Sequence, residues 1–277
     1  MDYNCISLSG GSIKGIAYLG VLKALEDYKI MDNIDTIAGV SMGAFFATLL
    51  AIGFEYKDSH KIFNISFKHN DISLDNFFTR YGFIEGNEFE KFYRDAISIK
   101  CDPDITFKEM YDLTKKKLII SAACLNTEKI EYFDYIKTPD LKVIDAILMS
   151  TSIPFIFVSK KMNGKYYVDG GLYESIPTKC FDENDKVLRM LLCDKTYFDE
   201  TIYDIEGIED YIYKIVNYIS KKTWKYNSLD KHTMKIFTPI LNLVDFNLDK
   251  KTRLEIFSCG YKTAKIFFEE LKKKIDL

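Results

Sequence analysis

Thr36-Ile37-Ala38-Gly39-Val40-Ser41-Met42-Gly43-Ala44-Phe45-Phe46 is the stretch on which the reading of this chain turns. Its first five residues form a short apolar run suited to a buried strand. From Met42 to Gly53 small residues and leucines take over, in a composition suited to a buried helix. At the junction stands Gly39-x-Ser41-x-Gly43. A sharp strand-to-helix turn lifts a serine oxygen to the edge of a sheet, and glycines two residues to either side remove the side chains that would collide with that turn. The serine also opens a helix, whose first amides favour developing negative charge. Alone, the same string also suits a helix-capping serine with glycines for close packing.

Working outward, Cys5-Ile6-Ser7-Leu8 is a short extended run, Ser9-Gly10-Gly11-Ser12-Ile13-Lys14-Gly15 a glycine loop, and Ile16, Leu19, Leu22 and Leu25 recur at helical spacing. Strand and helix therefore alternate twice before Gly53, the signature of a parallel sheet covered by helices. Further strands are expected at Lys117–Cys124, at Lys129–Phe133 as its neighbour, at Lys165–Val168, at Val187–Leu192 and at Lys235–Thr238. Helices are expected over Val143–Met149, Ile208–Lys225 and, amphipathic, Lys250–Lys274. The aromatic-rich stretch from about Glu55 to Asp104 has weak helical periodicity and reads as a helical cap. With no repeat, linker or low-complexity tract, the expectation is one α/β domain over 1–277, a central mainly parallel sheet flanked by helices, with about 200–277 mostly helical.

With 47% hydrophobic residues, a chain of 277 can bury a sizeable core without staples. Its 38 basic and 41 acidic side chains leave a charge of -3, too little field to draw a polyanion, so a nucleic-acid partner is not expected. The six cysteines lie far apart with no C-x-x-C pair, and buried free thiols are the expectation rather than a metal or redox site. Met1-Asp2-Tyr3-Asn4 lacks the layout of a secretory signal, and no run approaches the ~20 apolar residues of a spanning helix. The expected setting is intracellular, cytoplasmic or peripheral on membranes. Asn76-Phe77-Phe78-Thr79-Arg80-Tyr81-Gly82-Phe83 is a candidate for contacting lipid or capping an acyl pocket, with core packing as its plainer role.

The loop after the first strand can present backbone amides at the same sheet edge as Ser41, which is how donors are aimed at a carbonyl oxygen that becomes negative. The phosphate-loop patterns G-x-x-x-x-G-K-[ST] and G-x-G-x-x-G are both absent from it. A serine nucleophile needs a base, and there are three histidines. His60 and His69 fall in a polar, irregular segment. His232 would complete the chain order serine, acid, histidine of a hydrolase triad, but it precedes its strand, and too few strands precede Ser41 for that fold. The other candidate is Asp169, at the end of a strand and followed by Gly170 and Gly171. A carboxylate serves as base only if burial raises its proton affinity, and Tyr166, Tyr167 and Val168 make burial plausible.

Together, the glycine loop with Lys14, the elbow at Ser41, Ser150-Thr151-Ser152-Ile153-Pro154-Phe155, and Val168-Asp169-Gly170-Gly171 with Ile176-Pro177 resemble the patatin-like phospholipase family, in order and spacing, over nearly the whole chain. The resemblance implies a three-layer sandwich and a Ser-Asp dyad that cleaves fatty-acyl esters of lipids, phospholipids or lysophospholipids, through an acyl-enzyme. It gives Ser41 the role of nucleophile and Asp169 that of base. Gly10, Gly11, Ser12 and Met42 are the expected oxyanion donors, Lys14 and Gly15 support the loop, Gly39 and Gly43 shape the elbow, and Gly170 and Gly171 form the turn after the base. No metal or cofactor is expected. Members commonly carry three consecutive glycines in the loop, and this chain has Ser12 in place of the third, so the geometry of the oxyanion hole depends on whether that position suits a residue with Cβ. The alternatives are a Ser41-Asp169-His232 esterase and a silent lipid-binding protein of the same fold.

Overall fold

The computed structural model describes residues 3–63, 73–194, 231–239 and 248–275, with scattered positions between 204 and 219. Its centre is a sheet in which β1 (Cys5–Leu8), β2 (Thr36–Val40), β4 (Lys117–Cys124), β9 (Val187–Asp194) and β10 (Thr233–Thr238) lie parallel in the order β10-β9-β1-β2-β4. Antiparallel strands β5 (Lys129–Phe133) and β8 (Lys165–Asp169) pair with β4, and β7 (Lys160–Met162) pairs with β8. A separate parallel pair joins β3 (Gly82–Ile84) to β6 (Phe155–Phe157). The helices are α1 (Ile16–Asp27), α2 (Met42–Ala51), α3 (His60–Phe63), α4 (Leu74–Arg80), α5 (Asn87–Ile97), α6 (Phe107–Thr114), α7 (Val143–Ser150) and α8 (Lys250–Ile275). The expected α/β class, a mainly parallel sheet flanked by helices, is what forms.

Alternation along the strands sets the core. Ile6, Leu8, Ile37, Leu118, Ile120, Leu188, Met190, Met234 and Ile236 join one apolar cluster with α1, α2, α5, α7 and α8. Between them lie smaller side chains, Cys5, Ser7, Ala38, Ser121 and Ala123, all buried. Over Ser7 passes the segment that follows β8: the Ser7 hydroxyl donates to the Pro177 carbonyl at 2.6 Å.

One register detail decides where the site lies. Ile120 pairs with Gly39 of β2 and with Phe133 of β5, so β2 and β5 take opposite edges of β4. Ala122 pairs with Glu131 of β5 and with Asp169 of β8, so β5 and β8 are opposite as well. Strands β2 and β8 therefore share one edge of β4 and meet head-on. Val40 ends opposite Ser121, and Asp169 ends opposite Ala122.

The short strands β3, β6 and β7 were not expected, and neither was α6; three residues are too few to show a period. The stretch 55–104 is helical over α3, α4 and α5, interrupted by β3. Of the helix expected over 208–225, positions 208, 211–212, 214–216 and 218–219 are helical and the rest lies outside the described residues, as does His69.

Helices α1 and α8 cross backbone to backbone. A Cβ on Gly20 would lie 2.1 Å from the Phe257 carbonyl oxygen, and one on Gly260 would lie 1.9 Å from that of Ala17. Helix propensity alone favours Gly260→Ala by about 1 kcal/mol, whereas overpacking costs about 1–3 kcal/mol or more. We expect Gly260→Ala to lower the urea midpoint; an unchanged or raised midpoint means the helices do not touch here.

Candidate active site

The head-on meeting of β2 and β8 forces both chains out of the sheet at one point. Ser41 leaves β2 with φ 55° and ψ −130°, a conformation that costs a residue with Cβ about 1–3 kcal/mol. Three arrangements hold it there. The Ser41 N–H donates to the Ser150 hydroxyl at 2.7 Å, and that hydroxyl in turn donates to the Ser121 carbonyl at 2.6 Å, tying the elbow to β4 through the end of α7. A Cβ on Gly39 would fall 2.2 Å from the Gly43 carbonyl oxygen, and one on Gly43 would fall 2.5 Å from those of Leu8 and Ser9. Both elbow positions thus require glycine because backbone passes where a side chain would stand. Behind the elbow α2 is buried from Gly43 to Ala51.

Asp169 meets the serine from the other strand. The Ser41 hydroxyl donates to Asp169 Oδ2 at 2.6 Å, and the Gly171 N–H donates to Oδ1 at 2.7 Å. The backbone of Asp169 is pinned by its N–H to the Ser152 carbonyl at 2.9 Å. Gly170 passes so close to the other strand end that a Cβ there would meet the Ser121 carbonyl oxygen and Val40 Cγ2, each at 2.8 Å. Burial pushes the Asp169 carboxyl up to about 6, and the hydrogen bonds from Ser41 and Gly171 pull the other way without reversing it. The residue is only 6% exposed, so the loss of hydration dominates.

The glycine loop lies across from the pair. A Cβ on Gly10 would sit 3.0 Å from Ser41 Cβ, and one on Gly15 would run into Met42 Cγ at 2.3 Å. Ser9 and Tyr18 clamp the loop to the neighbouring strand: the Leu192 N–H donates to Ser9 Oγ at 2.9 Å, and the Tyr18 hydroxyl donates to the Ser9 carbonyl at 2.9 Å. One expectation needs correction. The N–H of Gly10 is given to the Ser175 carbonyl at 3.2 Å, so Gly10 is an anchor of the loop rather than an oxyanion donor. The N–H groups of Gly11 and Met42 have no hydrogen-bond partner among the described residues. Ser12 stands at φ 49°, the left-handed region where the third glycine of the resembling pattern would be unstrained. The Lys14 side chain is buried within this loop.

Above Ser41 opens a cleft of about 490 Å³, its mouth included, walled by Phe89, Tyr93, Leu148, Ile153 and Phe157 with Met42 and Ser12 at its base. Glu85, Gly86, Phe89 and Tyr93 come from the segment expected to act as a cap. Such a lining, apolar with Thr151, Ser152 and Lys160 among it, suits a largely apolar ligand.

The structure does not bring His232 to this place. It lies just before β10, at the opposite end of the parallel strands, with Nδ1 3.0 Å from the Tyr3 hydroxyl and its carbonyl accepting from the Arg189 N–H. His60 is exposed beside the Lys57 carbonyl. Among the described residues no cluster of three His, Cys, Asp or Glu could hold a metal ion, and no helix is long and apolar enough to cross a membrane. Sequence reasoning missed Ser150, Ser152, Tyr18 and Ser175 as holders of the site. Ser150 and Ser152 belong to a stretch that the family resemblance marks without giving it a role.

Known proteins resemble this chain in sequence and in fold. A family model described as patatin-like phospholipase matches residues 6–182, from β1 to beyond the turn after Asp169. The chain is 32% identical to an uncharacterised protein of Acanthamoeba polyphaga mimivirus, over 94% of this chain and 92% of that one. It is 33% identical to a protein of invertebrate iridescent virus 6 named "Probable lipid hydrolase", over 63% of this chain and 62% of that one. In fold it is similar to VipD from Legionella pneumophila, with a TM-score of 0.69 at 15% identity over 98% of this chain and 67% of that one. On the family match and the length shared with the mimivirus protein, the chain belongs to the patatin-like phospholipase family.

Proposed function

We propose that this chain hydrolyses fatty-acyl esters of lipids, phospholipids or lysophospholipids, as a single acyl-hydrolase domain with Ser41 as nucleophile and Asp169 as its base. The observation that carries the reading is the 2.6 Å hydrogen bond from the Ser41 hydroxyl to Asp169 Oδ2 at the floor of an apolar cleft. Membership of the family and the name of the iridescent-virus relative support it.

The chemistry follows from the placement. Ser41 Oγ attacks the ester carbonyl while its proton passes to Asp169, and the carbonyl oxygen becomes an oxyanion. The N–H groups of Gly11, Ser12 and Met42 stabilise that charge, helped by the first turn of α2, with Lys14 supporting the loop. When the tetrahedral centre collapses, the C–O bond to the alcohol breaks and Asp169 returns the proton to the leaving oxygen. Water then attacks the acyl-serine, giving its proton to Asp169, and the fatty acid leaves as Ser41 recovers its hydrogen. Asp169 can play both parts because burial brings its proton affinity toward neutrality.

Ser41→Ala is expected to abolish release of fatty acid and covalent capture by a fluorophosphonate probe; capture at an unchanged rate would place the nucleophile elsewhere. His232→Ala is expected to leave turnover of the same ester unchanged, and a loss of tenfold or more would restore the triad.

The base must be ionised to act, so kcat/KM is expected to rise with pH through about 6 and level off above it. A profile flat from pH 4 to 8 would contradict a buried carboxylate base. The sign for stability is the opposite. Because the folded carboxyl is raised above its ordinary value of 3.8, its contribution is full below that value and is lost as pH rises through about 6. Asp169→Asn is therefore expected to be at least as resistant to urea at pH 8 as the parent, while turnover drops by about 10²–10⁴. Greater sensitivity to urea in that variant would argue against a destabilising buried charge.

A further inference from the structure

Beside the two-stranded sheet of β3 and β6 lies apolar surface that the core does not cover. Part of it is α4, none of whose residues is buried: Leu74 is 69% and Phe78 76% exposed. Phe77 stacks on Phe83 with ring centroids 4.3 Å apart and reaches Phe155, itself 49% exposed, at 6.5 Å. Packed in the same neighbourhood, with Phe83 in common, are helical positions between 208 and 219. Apolar residues stand there at 208, 211, 212, 215, 216 and 219, the spacing of one broad helix face. Among the described residues, Ile212 and Val216 of that face pack with Ile153, Ile156 and Phe83. Ile208, Tyr211, Ile215 and Ile219 remain between 40% and 59% exposed. Monomeric proteins rarely leave so much contiguous apolar surface in water without an occupant.

We propose that this surface, α4 with Phe155 and the exposed apolar side chains of Ile208, Tyr211, Ile215 and Ile219, seats the chain on a lipid surface. The proposal rests on the reading of the Ser41 cleft as a lipid-ester site. Two observations favour this occupant. First, the ribbon beside these patches also builds the cleft: Glu85 and Gly86 follow β3, and Phe157, Val158 and Lys160 lie in or after β6. An acyl chain leaving a bilayer pressed against the patches reaches Ser41 along apolar wall, without crossing water. A protein partner has no need of that adjacency. Second, the rim has the composition of an interfacial belt. Tyr81 meets Tyr166 edge-on at 5.9 Å, and the Lys161 ammonium lies 5.1 Å from the Tyr166 ring. Neither Lys160 nor Lys161 is ion-paired with a carboxylate among the described residues, while Arg80 and Glu85 pair with each other. Lys160 and Lys161 thus offer positive charge to anionic head groups at this rim, while the exposed Asp75 and Asp204 carry negative charge elsewhere on the surface.

The test uses full-length protein carrying Ser41→Ala, floated with vesicles of phosphatidylcholine and phosphatidylglycerol, and compares it with the same chain carrying Leu74→Ser and Phe78→Ser or Ile208→Ser and Tyr211→Ser. Each pair is expected to reduce the vesicle-bound fraction about tenfold or more, since two apolar side chains leave the interface. In chains that keep Ser41, the same substitutions are expected to reduce hydrolysis of a vesicle-embedded ester by a similar factor, and to leave hydrolysis of a water-soluble butyrate ester unchanged. Unchanged flotation in both pairs overturns the docking surface. So does a concentration-dependent dimer in sedimentation that the substitutions abolish, which would assign the surface to a second copy of the chain. If the parent floats but cleaves neither ester, the docking stands and the catalytic reading falls, so the two failures are distinguishable.

Discussion

Strands β2 and β8 occupy the same edge of β4 and run towards each other along it, and the rest of the site depends on that collision. Two chains that meet end to end must both turn away within one residue, and whatever stands at the two turning points is brought into contact. Ser41 and Asp169 are those residues. The turn on the serine side requires a positive φ and glycines at 39 and 43; the turn on the acid side requires a residue without a side chain at 170, because Val40 and the Ser121 carbonyl fill the space. The glycines that look like a motif are the steric consequence of two strands sharing one edge.

The same geometry sets the energetics. Ending both strands inside the protein removes Asp169 from water, and the resulting loss of hydration raises its proton affinity. Ser41 is held in a conformation that a residue with Cβ disfavours, by a hydroxyl at the end of α7 and by the tight passage of β1. Both features oppose stability locally, and the large apolar cluster beneath the sheet offsets them. A site built in this way needs a strong scaffold, which the backbone-close crossing of α1 on α8 and the helix α2, buried from Gly43 to Ala51, supply.

Much of this was legible in the chain. Alternation of strand and helix is written in runs of four to eight apolar residues, long enough for a period to show, and β1, β2, β4, β5, β8, β9 and β10 form where those runs stand. Ser41 and Asp169 were legible because glycines beside a polar residue at a strand end mark a turn too tight for side chains. The strands of three residues were not, since no period fits in three positions. Nor was the antiparallel approach of β8, because strand direction depends on tertiary pairing and leaves no mark in composition. Gly10 shows the limit for donors: sequence places an amide near the serine, but only the fold shows that it is spent on Ser175. The aromatics at 76–83 could equally have been core. Their exposure on α4 follows from a short helix lying outside the ribbon, a matter of packing rather than pattern.

The loop that follows Asp169 is joined to the first strand and its glycine loop at two places, by the Gly10 N–H on the Ser175 carbonyl and by the Ser7 hydroxyl on the Pro177 carbonyl. Asp169 and the amides of the glycine loop thus belong to one mechanical unit, although some 160 residues of chain separate them. A push that displaces the Asp169 turn is passed to the glycine loop through these two bonds. Anything that grips the outer side of residues 172–178 holds a lever on both segments while touching neither Ser41 nor Asp169.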